Sequence, residues 1–141
     1  MFTTEIRVGR LYEHRLGTLR SEEELTALKT KGRSLMQSHG APVVVCADYR
    51  LIAFVKAELV SPFVEFLSGV SPHIERSAVL LSNDHGIFAV QMKRMIRDAN
   101  FPNRRAFEDP REAEAWLGEV LSAEERKRLH AFVEEKPAAG F

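Results

Sequence analysis

Cysteine occurs once, as Cys46. One cysteine closes no intramolecular disulfide and no cysteine-based zinc site. Neither sign of charge is in excess: 20 Lys and Arg balance 20 Asp and Glu. Nucleic-acid binding draws much of its affinity from phosphate neutralisation, so a neutral chain lacks the basic excess that this class uses. No window approaches the ~20 apolar residues of a membrane helix. Met1-Phe2-Thr3-Thr4-Glu5 opens without a basic region followed by an apolar run, so no secretory signal is expected and the expected setting is cytoplasmic and reducing. His14, His39, His73, His85 and His130 form no i, i+4 pair, and neither a metal nor another cofactor is expected. Ser82 to Gly86 holds one glycine and lacks the P-loop and dinucleotide patterns. There is no internal repeat and no low-complexity segment.

The chain does have the composition of an ordinary globular domain, 45% apolar and 28% charged over 141 residues. Its most informative stretch is Ala41 to Asp48. Five apolar residues, Val43 to Ala47, run without alternation and three are β-branched. A strand with one wet face alternates; this one reads as covered on both faces, the signature of a central parallel strand in an α/β sheet. Ser77–Ser82 is a second strand of the same type.

Around these two, Phe2–Val8 and Leu11–Leu16 read as a hairpin turning at Gly9-Arg10. Ser21-Glu22-Glu23-Glu24 fits a capping box. The helix that follows carries Leu25, Leu28, Leu35 and Met36 on one face, Gly32 beside it, and stops at His39-Gly40. Asp48-Tyr49-Arg50 reads as a loop. Leu51–Val55 is open between short strand, buried loop and approach to a helix. A helix is expected from about Ala57 to Leu67, with Ser61 as cap and Pro62 in its first turn as the alternative start. Asn83 or Asp84 should cap the next helix, Ile87–Ala99, whose inward face is Phe88, Met92, Met95, Ile96 and Ala99. Arg104–Phe107 reads as a last, edge strand. Asp109-Pro110 starts a fourth helix reaching Leu121, and Ser122–Glu125 caps a final short one.

The order is therefore β-β-α-β-α-β-α-β-α with one terminal helix added, an α/β sandwich whose mixed sheet has parallel central strands. With Val43–Asp48 and Ser77–Ser82 at its centre, and the closing pattern Arg104-Arg105-Ala106-Phe107-Glu108-Asp109-Pro110 followed by Ala113-Glu114-Ala115-Trp116-Leu117, the chain resembles the STAS superfamily, within it the SpoIIAA-like (STAS/SEC14-type) family. The resemblance covers residues 1–121; residues 122–135 read as an appended helix and 136–141 as a flexible tail. It implies a non-catalytic regulatory module, bacterial and acting by protein–protein binding. The alternative is a carrier of small apolar, lipid-like ligands. The phosphorylatable serine of the anti-sigma-factor antagonists has no counterpart, since Asp48-Tyr49-Arg50-Leu51 stands in its place.

Candidate site residues fall into two groups. Leu51–Leu67 carries more apolar residues than one amphipathic helix needs. Leu51, Phe54, Leu59, Phe63 and Phe66 are the candidates for a ligand pocket, a homodimer contact or a protein-docking surface, with core completion as the plain alternative. Asp48, Asp84 and His85, near the carboxyl ends of the central strands, form a candidate polar site in which a carboxylate orients an imidazole; strand termination and helix capping explain the same residues. No catalytic constellation stands out, and the reading is not an enzyme. Cys46 lies in a run that should be dry, so its thiol reads as core. Lys93, Arg94, Arg97, Arg104 and Arg105 form a basic patch if the third helix and the last strand lie close, suited to an acidic partner surface.

Overall fold

Val43–Asp48 is the middle strand of a five-stranded mixed sheet with the order β1-β2-β3-β4-β5, in a computed structural model that describes residues 1–135, 137 and 141. The strands are β1 (Phe2–Ile6), β2 (Leu11–Leu16), β3 (Val43–Asp48), β4 (Ile74–Leu80) and β5 (Arg104–Phe107). β1 and β2 are antiparallel and every other pair is parallel. Five helices accompany them: α1 (Glu22–His39), α2 (Ala57–Val70), α3 (Gly86–Ala99), α4 (Pro110–Gly118) and α5 (Ala123–Glu134).

Both faces of β3 are dry, as its unalternating pattern requires. Val45 and Ala47 join a core built with α1, α2 and α3. Val44 and Cys46 join a second core built with α4 and α5. The placement of the helices follows from the strand order. From β2 to β5 the chain steps one strand at a time in one direction, and crossovers keep one hand, so α1, α2 and α3 all fall on the same face. Only after β5 does the chain return, as α4 and α5, to cover the other. The strand order never reverses, so the sheet has none of the crevice that a reversal opens for ligands in doubly wound folds.

Local chemistry accounts for most boundaries. Ser21 accepts from Glu24 N–H at 3.1 Å, and the Glu24 carboxylate reaches back to Arg20 N–H at 3.2 Å, one residue beyond the usual box. Gly40 ends α1 with φ 75°, left-handed backbone that glycine adopts freely. At Gly9, φ is 55° and an added Cβ would run into the Glu125 carboxylate, so that turn needs glycine twice over. Ser122 and Glu125 form the full capping box of α5.

Some expectations are corrected. β1 stops at Ile6, short of Val8. α2 starts at Ala57 with Lys56 as cap and runs to Val70, so Pro62 lies inside the helix and neither it nor Ser61 begins it. α2 outlasts the expected stop at Leu67 because Phe66, Leu67 and Val70 continue its buried stripe. β4 begins at Ile74 and ends at Leu80, before Ser82. The cap of α3 is His85, without a side-chain bond, rather than Asn83 or Asp84. α4 ends at Gly118, leaving Val120 and Leu121 in the turn to α5. Leu51–Val55 is loop. The tail expected over 136–141 lies largely outside the described residues.

Candidate functional site

At the carboxyl end of β3, Asp48 is buried and doubly paired. Arg15 Nε donates to its Oδ2 at 2.9 Å, and Arg50 Nε and N–H donate to its Oδ1 at 2.8 and 3.2 Å. Burial alone would raise this carboxyl, but the hydrogen bonds and charge of Arg50, with Arg15, outweigh it and hold Asp48 below the usual carboxylate range. The same arginines seize the end of α5: Arg15 donates to Phe132 O at 2.9 Å and Arg50 to Val133 O at 3.0 Å. Cations at a helix carboxyl end are favourably placed. The Asp48 carboxylate is thereby committed to structure, at the floor of a cleft shared with Leu51, Val133 and Glu134.

Asp84 and His85 lie elsewhere. Asp84 is exposed in the turn before α3, its N–H donating to Ser82 Oγ at 3.1 Å, and His85 is half-buried. Both line an open cleft with Phe54, Ile87 and Gln91. No hydrogen bond or ion pair among the described residues joins Asp48 to Asp84 or His85. The three candidates of the polar site therefore fall into two clefts. Among the described residues no group of three His, Cys, Asp or Glu side chains gathers where it could hold a metal ion. No helix of the described residues is long and apolar enough to cross a membrane.

The five apolar candidates divide as well. Leu59, Phe63 and Phe66 are core residues, Phe63 edge-on to both Tyr49 and Phe66. Leu51 and Phe54 are outside, 42% and 51% exposed. Their loop is held still by a residue that sequence reasoning missed. Gln91 of α3 accepts from Val55 N–H at 2.8 Å and donates to Val55 O at 2.9 Å, a two-bond clasp that imitates a strand pairing. On the same helix Ile87 and Val90, also missed, are 72% and 63% exposed. Phe54 and Ile87 share one cleft wall. Ile87, Val90, Arg94 and Arg97 follow at helical spacing, so the outer stripe of α3 is apolar at its start and basic at its end. The signal for Ile87 and Val90 was present: they fall off the apolar face that Phe88, Met92 and Met95 define.

Arg104 does not belong to that basic surface. It is buried, donating to Leu67 O at 3.1 Å at the carboxyl end of α2. Arg105, exposed, lies over the Trp116 ring at 4.7 Å on the opposite face of the sheet. Cys46 is fully buried, and burial pushes its thiol far up, out of reach as a nucleophile. Beneath α1 and α2 the buried His14 ring contacts Thr3 O through Nδ1 at 3.3 Å and Tyr49 Oη through Nε2 at 3.1 Å. Burial lowers His14 to about 4, so the ring is neutral; the carbonyl fixes Nδ1 as the donor and leaves Nε2 to accept from the Tyr49 hydroxyl.

Comparison with protein-family models, with characterised proteins and with solved structures finds no match, so class rests on the chain's own α/β sheet and surface.

Proposed function

We propose that the protein is a non-catalytic, STAS-like interaction module that docks a protein partner through Leu51, Phe54, Ile87 and Val90. One observation carries the reading. Phe54 of a clasped loop and Ile87 of α3 stand exposed in one cleft, and Leu51 and Val90 are exposed on the same loop and the same helix. Such a patch on a soluble domain is a marker of a binding surface. Arg94 and Arg97 extend it, which suits a partner with an apolar socket flanked by acidic groups. The β-β-α-β-α-β-α-β-α order supports the SpoIIAA-like character.

The alternative, a carrier of apolar ligands, has less in its favour. The space beside Phe66 is only about 30 Å³, and the larger cleft of Phe54 and Ile87, about 520 Å³, is open, whereas a ligand pocket buries most of its ligand.

The test is a paired variant, Phe54→Ser with Ile87→Ser, and a charge variant, Arg94→Glu with Arg97→Glu. Both alter exposed side chains, so the folded state and its melting temperature should stay close to wild type. Sedimentation equilibrium and quantitative co-purification should show a complex, with a second copy or another protein, that the apolar variant loses and the charge variant weakens. Wild-type protein that stays monomeric and retains the same proteins as the variants would refute the surface.

A further inference from the structure

Four residues pair in register across the sheet and point to the α1–α3 side: Tyr12 of β2, Val45 of β3, Ser77 of β4 and Arg104 of β5. The row is long at both ends and short in the middle. The row beside it, His14, Ala47 and Val79, is short over the same central strands. A pit is left above Val45, Ala47 and Ser77, and Gly32 and Met36 of α1 with Phe66 and Leu67 of α2 roof it. The space in the pit is about 30 Å³, room for about two or three waters or one molecule of three or four heavy atoms.

Arg104 stands in the wall of this cavity and is 4% exposed. Its guanidinium donates to Leu67 O at 3.1 Å and to Ser71 Oγ at 3.3 Å, and lies 5.2 Å from the Phe101 ring. A guanidinium carries five N–H donors, so two such bonds leave donors unspent. The end of α2 gives a partial negative charge but no full counter-charge. No carboxylate among the described residues pairs with Arg104, and burial lowers its pKa to about 10. The remaining polar wall supplies no anion either: Tyr12, Tyr49 and Ser77 are hydroxyls, and His14 is neutral. Buried charges are normally paired, and a cationic fork above an otherwise apolar floor is matched by a carboxylate.

We propose that this cavity binds a small monocarboxylate of formate or acetate size, its carboxylate on Arg104 and the Ser77 hydroxyl and its carbon end against Val45 and Val79. The site is independent of the docking surface, since it shares no residue with it.

Isotope-labelled full-length protein is titrated with sodium formate and, separately, sodium acetate, with sodium chloride at equal ionic strength as the control. Saturable resonance shifts are expected at the cavity residues, with through-space transfer from the formate proton to the methyl groups of Val45 and Val79. Ser77→Ala should weaken formate binding several-fold and Arg104→Met by at least about tenfold. If Arg104→Met does not fold, Ser77→Ala, which removes one hydroxyl and keeps the shape, decides. The proposal falls if nothing saturates, leaving a cavity that holds water. It also falls if shifts scatter over exposed arginines or chloride reproduces them, an adventitious ion only, or if the folded variants bind formate as wild type does.

Discussion

His14 illustrates how burial, rather than sequence spacing, sets the chemistry of a side chain. Its ring is neutral because desolvation outweighs the pull of Thr3 O and of the Asp48 charge, and its pKa falls to about 4 from an ordinary 6.5. The folded state therefore binds fewer protons than the unfolded chain between those values, and stability must fall as pH drops through that window. The contribution is about 3 kcal/mol once pH 4 is reached. His14→Gln should lose stability at pH 7, yet show a flatter dependence between pH 6.5 and 4 in urea unfolding. An unchanged slope would mean that the ring is charged in the fold. At this scale the sequence was least informative. His14 stood in an ordinary strand pattern, and Arg104 read as one more surface arginine. Their burial depends on which strand rows lie beneath α1 and α2, a tertiary matter that periodicity does not encode. Cys46 was legible because its neighbours on both sides are apolar, and Gly40 because a glycine after a helix marks a left-handed stop.

Elements were legible wherever a cap or a break was written in side chains. Ser21, Asp109 and Ser122 all accept the expected backbone N–H. α2 starts at Ala57 as expected; the alternative start at Pro62 fails because packing overrides the proline. Leu59 and Phe63 bury a face spanning the proline, and tertiary burial outweighs local propensity. Pro62 still lacks the N–H that would meet Glu58 O, and its ring crowds that carbonyl. Pro62→Ala should raise stability by about 1–3 kcal/mol, read as a higher urea midpoint at unchanged slope. A drop would show that ring packing in this half-buried position outweighs the backbone term. The loop between β3 and α2 was unreadable because its order comes from Gln91, far away in sequence.

For the whole molecule, the two unalternating strands sufficed to foresee a sheet with helices on both faces. They did not foresee that the last helix is integral. α5 looked appended because its sequence adds to an already complete β/α order. It nevertheless contributes Leu129, Phe132 and Val133 to the core over Leu11, Val44 and Cys46, and Glu125 accepts Arg10 N–H at the hairpin turn at 2.5 Å. It also satisfies Arg15 and Arg50, and Arg128 grips the buried Glu13 at 2.6 Å. Chain truncated after Leu121 would leave that core wet and Glu13 without its partner. It should unfold without a cooperative transition, whereas an appended helix would be removed at little cost; calorimetry distinguishes the two.

One strand order has a consequence for synthesis on the ribosome. Each strand joins the one made just before it, so the layer beneath α1–α3 can assemble as the polypeptide emerges. The reverse side of the same sheet, with Val44, Cys46, Ala78 and Leu80, waits uncovered until α4 and α5 arrive. The nascent protein thus passes through a half-finished stage with a greasy flank, and that stage is when chaperone capture or clumping threatens it most.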